Sequence, residues 1–143
     1  TGAATTVSAV CTTDQLTELQ QQCRRIYVDP NLIQYAVKIV AATRRPEQYG
    51  QKEMERYLTF GASPRATISL IEGARALAFL RGRSYVLPAD VIDIVPDVLR
   101  HRLVLSYEAL SDGQTPDALI MRVLKAIQTP EAPLETHVRV ATA

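Results

Sequence analysis

The stretch Phe60-Gly61-Ala62-Ser63-Pro64-Arg65-Ala66 decides how this chain is read. It opens a long apolar helix. Serine side chains accept hydrogen bonds from the free amides at a helix start, and proline suits the first turn because no amide hydrogen is needed there. Ser63 and Pro64 therefore read as N-cap and first helical residue. Arg65 runs against the pattern. The helix dipole puts partial positive charge at this end, so a cation there costs about 0.3–1 kcal/mol. Two readings stand side by side. Arg65 is either a solvated side chain whose long stem carries the charge away, or a group that meets an incoming anion, phosphate being the usual ligand of a helix N-terminus.

Downstream, the pattern predicts a helix from Pro64 to about Arg81. Ile68, Ile71, Ala74, Leu77, Ala78 and Leu80 make it apolar over more than half its circumference, as expected of the central helix of a bundle. Gly82 can supply the left-handed residue that closes it. Proline punctuation is regular elsewhere as well. Asp29-Pro30, Leu87-Pro88 and Thr115-Pro116 each precede an amphipathic run, a helix-start signal. One helix is expected over 30–44, with Leu32, Ile33, Ala36, Val37 and Val40 inward and Pro46 as its stop. Another is expected over 116–128, with Leu119, Ile120, Val123, Leu124 and Ile127 inward. Pro96 interrupts the run after Pro88, which predicts two short helices, 88–94 and 97–102, with a kink between them.

Upstream, Thr12 and Gln15 have capping-box spacing, and Leu16, Leu19, Cys23 and Ile26 follow at helical intervals. Residues 47–55 read as a loop with a ragged helical turn. Segments 56–60 and 103–107 look extended and can pair as a minimal sheet. The fold class is therefore mainly α: a helical bundle with at most a two-stranded sheet. Residues 1–11 read as a linker, 12–128 as the folded domain and 129–143 as an extended or disordered tail.

Composition narrows the function classes. The 143 residues are 47% hydrophobic and 22% charged, with a net charge of +1, which is ordinary for a soluble domain and gives no global pull toward nucleic acid or anionic lipid. No membrane-spanning run or signal-peptide pattern is visible. Two cysteines, Cys11 and Cys23, suit free thiols in a reducing compartment, hence a cytoplasmic location. The chain opens at Thr1 rather than at a methionine, as expected of a processed or excised piece of something longer.

Catalytic motifs are missing. There is no phosphate-binding Gly-x-x-x-x-Gly-Lys-Ser/Thr loop, no dinucleotide-binding glycine turn, no nucleophile elbow and no zinc-peptidase signature. His101 and His137 read as surface residues. Glu53 and Glu55, and Asp90 and Asp93, are spaced as solvated charges. No catalytic centre and no metal site are expected in this chain alone.

Several segments together resemble one family. Arg44, the Phe60–Ala66 stretch, Gly82-Arg83-Ser84-Tyr85-Val86 with Pro88-Ala89-Asp90-Val91, and Pro96-Asp97-Val98-Leu99-Arg100-His101-Arg102-Leu103 occur in the order seen in the C-terminal helical lid of MoxR-type AAA+ ATPases. The resemblance covers roughly residues 12–128. It implies that the chain closes over ATP and magnesium held by an N-terminal core that these residues do not include. It implies that Arg65 is the second sensor arginine, reporting the γ-phosphate, with Ser63, Pro64 and Ala66 beside it at the nucleotide. It further implies contact with neighbouring subunits of a homo-oligomeric ring. The implied work is chaperone-like remodelling or cofactor maturation, sometimes alongside proteins with von Willebrand factor A domains. Leu87 departs from the pattern, standing where a capping threonine is common. Arg75, Arg100 and Arg102, like Arg44, read as structural or interface charges.

Two other readings compete. A free-standing helical interaction module would keep the bundle and give Arg65 no phosphate. A helix-turn-helix DNA binder would use the short helices around 88–103, but it lacks a basic recognition helix.

Overall fold

The computed structural model describes residues 8–131. Parts of the expected linker and tail, including His137, lie outside the described residues.

The bundle is mainly helical, with one two-stranded sheet. Its elements are α1 (Thr13–Arg24), α2 (Pro30–Arg44), two 3-10 turns (Pro46–Tyr49 and Lys52–Tyr57), β1 (Leu58–Phe60), α3 (Arg65–Leu80), α4 (Pro88–Leu99), a 3-10 turn (Arg100–Arg102), β2 (Val104–Leu105), α5 (Tyr107–Ser111) and α6 (Pro116–Ala126).

Local chemistry explains most boundaries. The Asp29 carboxylate accepts from the Asn31 amide at 2.8 Å and starts α2. Thr115 Oγ1 accepts from Ala118 at 3.2 Å and starts α6. At the end of α3, Gly82 adopts φ 70°, a conformation that is strained for any residue with a Cβ. There Arg83 N bonds Ala78 O at 3.0 Å and Gly82 N bonds Phe79 O at 2.9 Å, a Schellman closure.

The core differs in detail from the apolar stripes expected. On α2 the buried side chains are Leu32, Tyr35, Ala36, Ile39, Val40, Ala42 and Thr43, while Ile33 and Val37 stay partly exposed. This helix carries apolar residues on two faces, and the face with Tyr35 and Ile39 turns inward. On α3, Ala66, Leu70, Ala74 and Ala78 recur every fourth residue and are fully buried. Ile68 and Leu80 instead point out, 65% and 80% exposed. At Gly73 the missing side chain lets Ile94 of α4 come close, where a Cβ would lie 2.9 Å from Ile94 Cγ1, and α4 packs against α3.

α4 is one helix, not two. Pro96 sits inside it, and Val91, Val95 and Leu99 are fully buried on one face. Proline removes one intrahelical bond, yet those three side chains hold both halves in the same core. At the C-cap, Arg100 N donates to Pro96 O.

Leu87 caps α4 without a polar side chain. Half of the capping box survives, because Asp90 Oδ2 accepts from Leu87 N at 2.8 Å. Asp90 is no solvated charge: it is fully buried. Arg83 grips both of its oxygens at 2.7 and 2.5 Å, and Arg81 reaches Oδ1 at 2.7 Å. Arg81 also bonds Asp93 at 2.7 Å.

The two extended segments pair antiparallel as expected, in shortened form, with Leu58 opposite Leu105. The turn after β2 is α5, a five-residue helix the sequence pattern does not announce. Ser106 Oγ accepts from Ala109 N at 3.1 Å to start it. Tyr57 OH donates to Asp112 Oδ2 at 3.0 Å just beyond its end.

α1 stands apart from this core. Its capping box forms as the sequence predicts, with Gln15 N on Thr12 Oγ1 at 3.2 Å and Thr12 N on Gln15 Oε1 at 2.9 Å. None of its residues is buried, and Leu16 and Leu19 are nearly half exposed.

Candidate functional site

The site is the junction between the C-terminal end of α2 and the start of α3. Three contacts build it. Thr43 Oγ1 donates to Val40 O at 2.7 Å, which orients the hydroxyl within the last turn of α2. The same oxygen accepts from Ala62 N at 3.0 Å. Gly61 then lies flat against the helix end. A Cβ placed on it would overlap the Thr43 carbonyl oxygen and come within 2.8 Å of Arg44 Cα. Only glycine allows this approach.

Ala62 is therefore fixed, and the next three residues turn out into solvent. Ser63, Pro64 and Arg65 are exposed. Pro64, at φ −55° and ψ −25°, is the N-cap, one residue later than expected. Ser63 makes no side-chain cap. Backbone carbonyls satisfy the first turn instead, with Ala66 N on Ser63 O at 2.8 Å and Thr67 N on Pro64 O at 3.0 Å. Ala66 is buried and anchors the turn.

Two open clefts flank Pro64. One, of about 310 Å³, is lined by Val37, Ala41, Arg44, Arg45, Gln48 and Thr67 among others. The other, of about 340 Å³, is lined by Arg44, Thr59, Phe60, Gly61 and Ser63. Arg44 and Pro64 border both. The sequence reading left Arg44 as a structural charge and did not single out Thr43.

The charges here are unbalanced. Arg56, Arg75, Arg81, Arg83 and Arg100 each pair with a carboxylate. Among the described residues, Arg44, Arg45 and Arg65 have no such partner, and neither do Arg24, Arg25, Arg102 and Arg122. The first turn of α3 contains no acidic residue. Arg44 lines both clefts and Arg45 the first, while Arg65 lines neither; an arginine's planar fork matches the oxygens of phosphate. No group of three or more His, Cys, Asp or Glu that could hold a metal ion occurs among the described residues.

A family model described as the AAA lid domain matches residues 50–123, from the second 3-10 turn (Lys52–Tyr57) through most of α6. The chain belongs to the AAA lid domain family. The lid is of the MoxR type. It is 47% identical over 122 residues to the chaperone MoxR1 of Mycobacterium tuberculosis, a match covering 85% of the lid chain and 32% of that protein. It is 33% identical over 111 residues to the protein MoxR of Methylorubrum extorquens, covering 73% of the lid chain and 32% of the relative. The lid fold also matches a crystal structure of a candidate ATPase from Cytophaga hutchinsonii, with TM-score 0.80 and 33% identity. That match covers 82% of the lid chain and 36% of the other. The lid chain thus spans about a third of the length of these relatives. No helix among its described residues is long and apolar enough to cross a membrane.

Proposed function

We propose that this lid closes over ATP held by the ATPase core of a longer protein, with Arg65 contacting the γ-phosphate. The observation that carries the reading is the exposed Arg65 on the first turn of α3, which has no carboxylate partner and follows a turn fixed against the end of α2. Arg65 and the exposed Ser63 can hold a phosphate oxygen, with Pro64 and Ala66 shaping the turn. Bound ATP and magnesium would supply the reacting phosphoryl group and its counter-charge. The lid's part is to orient the phosphate and to stabilise charge that develops on it. Movement of the lid then couples hydrolysis to the neighbouring subunits of a homo-oligomeric ring and to chaperone-like remodelling of partner proteins. Those with von Willebrand factor A domains are one class to test. The free thiols Cys11 and Cys23 suit a cytoplasmic setting.

The test is arginine-selective modification of the longer protein, mapped by peptide. With a non-hydrolysable ATP analogue, Arg65 should be protected relative to ADP, while the exposed Arg24 and Arg25 of α1 label equally in both states. Equal labelling of Arg65 in both states would favour the interaction-module reading. That reading draws its support from the unburied Leu16 and Leu19.

A further inference from the structure

We infer that Thr43 is a positioning residue for Arg65. This rests on the reading of Arg65 given above and deepens it. The hydroxyl is buried and bonded in both directions, donating to Val40 O at 2.7 Å and accepting from Ala62 N at 3.0 Å. Thr43 is only 1% exposed, so no solvent competes for that oxygen. Gly61 presses against the Thr43 carbonyl and the Arg44 Cα, which removes any slack in the backbone. Two residues separate Ala62 from Arg65, and one of them is proline, whose φ is fixed by its ring. The orientation of the first turn of α3 is therefore tied to the last turn of α2 by the Thr43 hydroxyl together with the close Gly61 backbone.

The chemical consequence concerns orientation. A guanidinium that stabilises charge in a transition state must meet it in place, and a shift of about 1 Å can cost on the order of a hundred-fold in rate. Without the hydroxyl, Ala62 N loses its acceptor and the Ser63–Arg65 turn, still anchored by buried Ala66, loses its hydrogen-bonded tie to α2. Substrate binding depends on many other contacts in the core and should change little.

The experiment is a double-mutant cycle in the longer ATPase. Thr43→Val keeps the shape and removes the hydroxyl; Thr43→Ser keeps the hydroxyl. Thr43→Val should lower kcat about ten-fold or more with KM for ATP within about two-fold. Thr43→Ser should restore most of the rate. In an Arg65→Ala background, Thr43→Val should add almost nothing, because it acts through the missing side chain. Hydrogen exchange gives a readout apart from activity: the Ala62 amide of the 143-residue chain should exchange quickly in Thr43→Val and slowly in Thr43→Ser. A full additional loss in the Arg65→Ala background would make Thr43 merely structural and overturn the inference. So would a normal kcat for Thr43→Val beside a defective Arg65→Ala. A normal rate for Arg65→Ala itself would overturn the phosphate-contact reading, and this inference with it.

Discussion

Arg83 holds both carboxylate oxygens of the fully buried Asp90, at 2.7 and 2.5 Å. The pair joins the loop after α3 to the first turn of α4. Arg81 adds a third bond from the end of α3. Because the same carboxylate also accepts from Leu87 N, it replaces the capping side chain that Leu87 cannot supply. One aspartate therefore closes one helix junction and opens the next helix.

Replacing this aspartate tests its weight. Asp90→Asn keeps the volume but removes the charge that two arginines share. Hydrogen bonds to charged groups contribute about 1.5–3 kcal/mol each. Arg83 retains some solvent and Arg81 more, which softens the loss. The expected destabilisation is about 2–3 kcal/mol, read by urea unfolding of the 143-residue chain. A change under about 0.5 kcal/mol, the range of ordinary surface substitutions, would contradict the assignment.

The same group sets an acid limit. Burial pushes the Asp90 carboxyl up, but hydrogen bonds from Arg83, the Leu87 amide and Arg81 outweigh it and leave the group below its ordinary value. Its folded-state pKa is thus depressed. Its contribution is present above the unfolded carboxylate value of about 3.9 and fades as pH falls through the folded value. Stability of the natural chain should drop as pH is lowered below about 4, and Asp90→Asn should show a shallower decline. Asp117, held down by the Arg100 hydrogen bond, is exposed and remains in both chains. Equal slopes would remove Asp90 from the account.

Two glycines separate crowding from backbone conformation. Gly61→Ala places a methyl against the Thr43 and Arg44 backbone, so about 1–3 kcal/mol or more of stability should be lost. Gly82→Ala meets open space but must hold φ 70°, so about 1 kcal/mol is expected. Paired thermal melts decide it. A larger loss at Gly82 than at Gly61 would contradict the close approach at the site.

α1 should behave as a separate, weaker unit. Thr12→Ala removes a capping box worth about 1 kcal/mol, but no residue of α1 is buried. Amide exchange in α1 should quicken while the global melting temperature barely moves. A matching global shift would show that α1 is part of the cooperative core.

The sequence made the helix starts legible where proline and a capping side chain coincide, as at Asp29-Pro30 and Thr115-Pro116, because both signals are local. Pro64 places Arg65 at a helix start although Ser63 makes no side-chain cap, and the Gly82 closure follows from glycine's tolerance of positive φ. What it hid was tertiary. Asp90 lies seven residues beyond Arg83 across a turn, so no helical spacing links them, and its charge looked solvated. α5 is too short to show a period. On α2 two apolar faces competed, and only packing chose the one with Tyr35 and Ile39. Pro96 broke the expected helix on paper, whereas Val91, Val95 and Leu99 hold it together in the core. Thr43 carried no motif at all: its role exists only because Gly61 folds back onto it.

The most direct measurement is ATP hydrolysis by Arg65→Ala in a longer protein that carries the proposed ATPase core, set beside its affinity for ADP. Loss of a donor that stabilises developing phosphoryl charge should slow turnover on the order of a hundred-fold, while ADP binding, which lacks the γ-phosphate, changes little. Arg65→Lys should recover little, since lysine keeps the charge but loses the planar fork. The fold should persist in both variants, because Arg65 is exposed and alanine is the better helix former. Slow turnover with intact ADP affinity and an unchanged melting temperature is the predicted result. Wild-type turnover in Arg65→Ala would contradict the account and return Arg65 to the solvated surface.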